Sequence, residues 1–309
     1  VSAAVSLRPE RTKIVTETRN FPTDNYIAEG VIRQCGNRHR LVHVDRPQGI
    51  AAAIDDDTAV LMLTHVNYRD GSLHDMADLT RAAHDAGALV VWDLAHSAGA
   101  LRVDLAGCHA DFAVGCGYKY LNGGPGAPAF LYVPPRHHGG FRQPLSGWFG
   151  HRDPFEFTPQ YDAAGDIGQY LCGTPPVLSM VALDAALDVW DGVNITALRA
   201  KSQALTGYFI ELVETRCAGH GLTLISPRDP EARGSQVSFT HAQGGYAIIS
   251  ALIADGVIGD FRAPDVLRFG FTPLYTSFAD VWHAVDRMAA ILDEHRWDKP
   301  EFHARKAVT

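Results

Sequence analysis

Two short stretches hold the residues whose types and spacing could do chemistry. YKYLNGGPG (118–126) puts Lys119 at the end of the apolar run DFAVGCG and follows it with a glycine-rich turn. VVWDLAHSAGA (90–100) ends the apolar run ALVVW with Asp93, and His96 lies three residues further on. Buried parallel strands read as continuous apolar runs, and open α/β sheets hold ligands at the carboxyl ends of those strands. Asp93 and Lys119 are therefore expected to face one crevice from two strand ends.

A lysine and a carboxylate so placed suit pyridoxal phosphate, which bonds to a lysine amine and takes an acidic partner on its ring nitrogen. The acid keeps that nitrogen protonated and the ring an electron sink. At about 4 Å and an effective dielectric of about 20 the charge pair is worth about 4 kcal/mol before desolvation. That corresponds to about 3 pK units, enough to hold the proton at neutral pH. Each residue also has a plainer reading. Asp93 could only cap a helix opened by DLAHSAGAL, and Lys119 could be a solvated surface side chain.

DLAHSAGA, YKYLNGGPG, GWFGH (147–151) and NFPTD (20–24) together resemble the kynureninases, in the same order and at similar spacing, from about Arg11 to about Ser277. YKYLNGGPG with GWFGH is specific, whereas D-x-x-H followed by a lysine is widespread among relatives with other chemistry. The resemblance implies the α/β aspartate-aminotransferase-like fold of pyridoxal-phosphate enzymes. It also implies hydrolysis of the Cβ–Cγ bond of L-kynurenine or 3-hydroxykynurenine in tryptophan catabolism, giving anthranilate or 3-hydroxyanthranilate and L-alanine. Sequence does not choose between the two substrates. Lys119 would carry the cofactor and act as the base, Asp93 would hold the ring nitrogen, and Tyr118 would bond the phosphate and assist proton transfer. Phe21 would stack on the ring, with Pro22, Thr23 and Asp24 in the same site. Thr64 and His96 would touch the cofactor. Trp148 and Thr174 would reach its phosphate across a homodimer interface, and Arg268 would clamp the substrate α-carboxylate.

Alternatives stand beside several of these roles. Phe21 could be core, Thr64 could only satisfy backbone groups, the segment holding Trp148 could only pack an interface, and Arg268 could belong to a structural ion pair. The chain as a whole could instead be a cysteine desulfurase or aminotransferase of the same fold, or a non-catalytic remnant. A desulfurase-like chain usually has His before the lysine, and here Tyr118 stands there.

The elements that position these residues alternate along the first part of the chain. Strands are expected at 12–18, 41–45, 59–66, 88–93, 111–117 and 129–134. Helices are expected at about 25–36, at 48–57, at 75–87 and from Asp93 onward. Such alternation implies a parallel sheet. Residues 135–175 break the rhythm with Gly, Pro and aromatics, the composition of a functional loop. A long amphipathic helix over 177–192 then links a large cofactor-binding domain (1–190) to a small α+β domain (191–309). The small domain is expected to contain helices 194–216, 246–257 and 277–295, strands 222–226 and 235–241, a further strand within 266–275, and a peripheral polar tail, WDKPEFHARKAVT.

Composition narrows the partners. The net charge of −8 carries no long basic run, which argues against nucleic acid or an anionic membrane. No apolar run is long enough to span a bilayer. Cys35, Cys108, Cys116, Cys172 and Cys217 are odd in number, share no metal-type spacing, and read as reduced thiols of a cytoplasmic protein. His137 and His138 lack clustered companions, so no metal site is expected. The chain opens with Val1 on a stretch that resembles the end of a helix, and the resemblance implies a preceding strand and helix of the large domain.

Overall fold

The structure is a computed structural model and describes residues 1–141 and 143–305. The chain forms two compact units. One comprises Val1–His65, His74–Ala98 and Val103–Asp191, and the other Val66–Leu73, Gly99–Arg102 and Gly192–Thr309.

In the first unit α1 (Ser2–Ser6) precedes β1 (Lys13–Glu17), α2 (Pro22–Gln34), β2 (Arg40–Val44), α3 (Ile50–Ala53) and β3 (Thr58–Thr64). Then come α4 (Met76–Asp85), β4 (Leu89–Asp93), β5 (Phe112–Cys116), β6 (Ala129–Tyr132) and α5 (Val177–Leu187). The strands form one sheet in the order β2-β1-β3-β4-β5-β6. β1 and β3 are buried along their whole length, and β3 accordingly reads as an unbroken apolar or β-branched run, while β1 does so between Lys13 and Glu17. β1 pairs in parallel with both β2 and β3, so the strand order turns outward in both directions from it. That is a topological switch point, where α/β sheets open a crevice at their carboxyl ends. Trp92 anchors the inner layer, fully buried, and its indole N–H donates to Thr80 Oγ1 at 3.1 Å. Asp111, also buried, sits at the opposite, amino end of β5. It accepts from the Val90 amide at 2.9 Å and meets His84 and His137 at 2.8 Å each, with Arg136 at 3.0 Å. Burial alone would push this acid upward, but those bonds outweigh it and hold it below the usual carboxylate range.

Five expectations change here. No helix follows Asp93: residues 95–100 are turns, because Asp93 Oδ1 takes the Ala95 amide at 2.7 Å and Gly99 adopts φ +84°. β6 runs antiparallel to β5 rather than extending the parallel series. α2 begins at Pro22, whose missing N–H and fixed φ suit a first helical turn. The helix expected over 48–57 is a 3-10 turn, Pro47–Gly49, followed by the four residues of α3. α5 is not amphipathic either. It contains no buried residue, and Val177, Leu178, Met180 and Val181 are all exposed.

The second unit contains α6 (Ile195–Arg216), β7 (Thr223–Leu224), β8 (Gln236–Thr240), α7 (Gly245–Ala254), β9 (Asp260–Arg262), β10 (Val266–Gly270), α8 (Phe278–Asp293) and α9 (Pro300–His303). Its sheet has the order β7-β8-β10-β9 with antiparallel pairing throughout. Phe209 of α6 packs on Phe269 and Phe271 at ring separations of 4.9 and 5.2 Å, and the buried faces of α7 and α8 complete that core. α8 starts on a capping box in which Ser277 and Asp280 each satisfy the other's amide. Trp297 and Phe302 pack against the same core, so that part of the tail is not a polar periphery. Lys306–Thr309 lie outside the described residues.

Candidate active site

Three carboxyl ends of the first sheet deliver the residues singled out by sequence. Phe21 and Asp24 follow β1, Thr64 ends β3, and Asp93 ends β4. Thr64 and Asp93 are register partners in adjacent parallel strands, and the His65 amide donates to Asp93 O at 2.8 Å. Lys119 follows β5, held in a closed turn where Asn122 N donates to Lys119 O and Gly123 N to Gly117 O, both at 2.9 Å. A Cβ at Gly123 would stand 2.8 Å from Gly117 O, and Gly124 and Gly126 have φ of +69° and +88°. The glycine-rich run after the lysine is thus a geometric need of this turn.

Asp24, Asp93 and Lys119 lie within electrostatic reach of one another. Burial and the negative charge of Asp93, together with a hydrogen bond to it, push Asp24 up to about 7, and Lys119 partly opposes this. Burial also raises Asp93, against the lowering effects of the Ala95 amide, Lys119 and Asp24. Among the described residues no amide, ring or hydroxyl group donates to the buried Asp24 Oδ2. One proton shared between the two acids satisfies both, with Asp24 the donor and Asp93 the charged acceptor. A half-buried pair of acids carrying one net negative charge complements a cationic ring N–H, and a lysine amine stands beside it. These residues fit pyridoxal phosphate.

The other expected residues fall into separate settings. His96 is buried on the turn after β4, and Tyr118 is half-exposed with its ring centroid 5.4 Å from Lys119 Nζ. Phe21, Pro22 and Thr23 form the start of α2, with the Phe21 ring partly exposed. Trp148 lies on a 3-10 turn, Trp148–Gly150, and stacks on Phe157 at 6.1 Å with Phe149 and Phe155 edge-on. Thr174 is exposed ahead of Pro175 and Pro176. Arg268 belongs to the second unit. On β10 its Nη1 donates to Tyr68 O at 2.7 Å and its Nη2 pairs with Asp260 Oδ2 on the neighbouring β9. The structure therefore brings Asp24, Asp93 and Lys119 together, with Thr64 in register beside Asp93 and Tyr118 beside Lys119. Trp148 sits in an aromatic cluster of its own, and Arg268 already has a carboxylate partner.

Sequence reasoning missed the layer beneath. Glu17 and His74 form a buried pair at 2.9 Å, and Thr16, Asn20 and Asn25 bond one another under the start of α2. A glutamate ending an otherwise buried strand was the available signal. It also missed β9 and its Asp260, since three residues leave no period to read.

The family profile described as the kynureninase C-terminal domain matches residues 198–288. A kynureninase of Burkholderia pseudomallei (strain K96243) is 55% identical over 301 residues, 97% of this chain and 72% of that protein. A kynureninase of Pseudomonas fluorescens is 54% identical over the same shares. Among solved structures, a cysteine desulfurase from Thermococcus onnurineus NA1 superposes with TM-score 0.77 at 20% identity, over 92% of this chain and 73% of that one. The cystine C–S lyase C-DES, in complex with cysteine persulfide, gives 0.76 at 18%, over 90% and 75%. At such low identity these two show the fold, that of pyridoxal-phosphate enzymes, and no more. The sequence relatives go further, being more than half identical across nearly all of this chain, and by that measure the chain belongs to the kynureninase family.

Proposed function

We propose that this chain hydrolyses the Cβ–Cγ bond of L-kynurenine to anthranilate and L-alanine, with 3-hydroxykynurenine as the alternative substrate. The observation that carries the reading is the joining of Asp24, Asp93 and Lys119 at the carboxyl ends of three parallel strands, in a chain of this family. Bound pyridoxal phosphate supplies the electron sink. Asp93, charged, accepts the ring N–H, and Asp24 holds the proton that keeps Asp93 from being a second bare charge. Lys119 Nζ, beside them, takes the proton from the substrate α-carbon and returns it there once the bond has broken. Tyr118 donates its hydroxyl to the phosphate and assists that transfer. Thr64 and His96 line the cofactor, and Phe21 covers the ring with Pro22 and Thr23 fixing its approach. Water adds its hydroxyl to the γ-carbonyl carbon and, in balance, a proton to the β-carbon.

Residues 1–190 then form the cofactor domain, and 191–309 the domain whose Arg268 fork binds the substrate α-carboxylate. We also propose a homodimer in which Trp148 and Thr174 complete the phosphate site of the partner, working in the cytoplasm. Exposed apolar side chains along α5 and exposed Phe155 and Phe157 support an interface. Five cysteines without a disulfide suit a reducing compartment. Among the described residues no helix is long and apolar enough to cross a membrane.

Borohydride reduction of the cofactor-loaded protein, followed by peptide mapping, tests the assignment. The pyridoxyl group is expected on Lys119. A label on Lys13 or Lys201 overturns it, and so does a loaded protein that releases no alanine from either substrate.

A further inference from the structure

The first turn of α2 is held from beneath by buried side chains that have no part in the reaction as described. Thr16, Asn20 and Asn25 are 0%, 2% and 8% exposed. Their bonds run in one direction. Asn20 Oδ1 accepts the Phe21 amide at 2.8 Å, which fixes the orientation of that side chain. Its Nδ2 therefore faces Thr16 Oγ1, at 3.2 Å. A hydroxyl that accepts from one side donates to the other, and Thr16 donates to Asn25 Oδ1 at 3.1 Å. Asn25 Nδ2 is left facing Glu17 O, to which it donates at 3.3 Å. Glu17 in turn pairs with His74 at 2.9 Å, and the His74 amide donates to His65 O at 3.0 Å, beside Thr64. α2 has no side-chain cap at its start, and this relay joins its first turn to the end of β1.

We propose that Thr16, Asn20 and Asn25 are positioning residues, which set Phe21 against the cofactor ring and Asp24 against Asp93. The proposal rests on the roles given above to Phe21 and Asp24. Asn20 is bonded to the amide of Phe21, and Asn25 directly follows Asp24, so neither side chain can shift without the relay breaking. Losing the Thr16 hydroxyl leaves Asn25 Oδ1 and Asn20 Nδ2 buried without that bond, and they regain one only by moving the turn. A displacement of about 1 Å in such a group can change a rate or an affinity a hundredfold.

Thr16→Val keeps the shape and removes the hydroxyl, whereas Thr16→Ser keeps the hydroxyl. Asn194→Ala removes the cap of α6 in the other unit and serves as a stability control. Each variant is titrated with pyridoxal phosphate and melted without it. Thr16→Val is expected to raise the Kd by about tenfold or more, with Thr16→Ser and Asn194→Ala near the unaltered value. An unchanged Kd in Thr16→Val overturns the proposal, as does an equal rise in Asn194→Ala. Carbon NMR of labelled aspartates, with no cofactor added, gives a second readout. Asp24 is expected to titrate near 7 in the unaltered chain and lower in Thr16→Val. No change in that titration also overturns the proposal. Should Thr16→Val not fold, Asn20→Asp carries the same test, since it keeps the acceptor for Phe21 and loses the donor to Thr16. An unaltered chain that takes up no cofactor overturns the function, while the aspartate titration still decides the positioning.

Discussion

Asp24 and Asp93, half-buried and close to one another, cannot both be charged at little cost, and the pH dependence of folding follows from that. The folded pKa of Asp24, about 7, lies above its ordinary 3.8. Between those values the folded state binds more protons than the unfolded, so this group's contribution is full below about pH 4 and is lost as pH rises toward 7. The slope is negative and at most about 1.4 kcal/mol per pH unit for one proton. Asp24→Asn should flatten it in cofactor-free protein, as followed by denaturant unfolding at several pH values. Identical slopes in the two proteins would show that the acids share no proton. Arg268 carries a second test. Arg268→Lys keeps the charge but loses the fork that reaches Tyr68 O and Asp260 together. If that fork also grips the α-carboxylate, KM should rise about tenfold, the equivalent of about 1.4 kcal/mol. Unchanged kinetics with a lower melting temperature would leave Arg268 a purely structural ion pair. At this scale Asp93 and Lys119 were legible because each ends an apolar run. The contact of Asp24 with Asp93 was not, because it depends on strand order, which local pattern does not contain.

The elements show where periodicity carries information and where it fails. β3 and β4 are legible as apolar runs because parallel strands are covered on both faces. α4 is legible from its 3.6 period, its Asp75 cap and the Gly87 stop. The turn at 95–100 was misread as a helix because Asp93 takes the Ala95 amide for a local turn, and that choice is made by one hydrogen bond. α5 was misread as amphipathic because its composition is apolar without a polar face. An apolar helix with no buried residue is stabilised when something covers it. Leu178, at 88% exposure, is the most exposed large apolar side chain of that helix. Leu178→Glu removes no contact within the core, so the melting temperature at low protein concentration should hold. Self-association measured by sedimentation should weaken by tenfold or more if a second copy covers α5, since a buried unpaired carboxylate is strongly unfavourable. Unaltered association in this variant would place the interface elsewhere.

At the scale of the whole molecule, the proposed catalytic residues come from separate stretches of chain, and two of them, Trp148 and Thr174, are assigned to a neighbour's site. The family relatives were legible from four short motifs, while the partition into units was not a simple cut. Val66–Leu73 and Gly99–Arg102 leave the first unit and belong to the second, so the boundary is crossed several times. Asp70 and Gly71 accept from Ser226 and Gly234, and Tyr68 accepts from Arg268, which explains why those short segments go with the later part of the chain. Whether an active site needs two chains is open to a direct test. Lys119→Ala and Trp148→Ala should each be nearly inactive alone. If Trp148 serves the partner's Lys119, a mixed dimer has one site with both changes and one with neither. Random exchange makes about half of all dimers mixed, so about a quarter of the sites regain function. Steady-state assay after the two variants are mixed, unfolded and refolded together should therefore recover about a quarter of the unaltered rate. Recovery of nothing would mean that Trp148 and Lys119 serve the same site from one chain, because then no mixed dimer contains an intact pair.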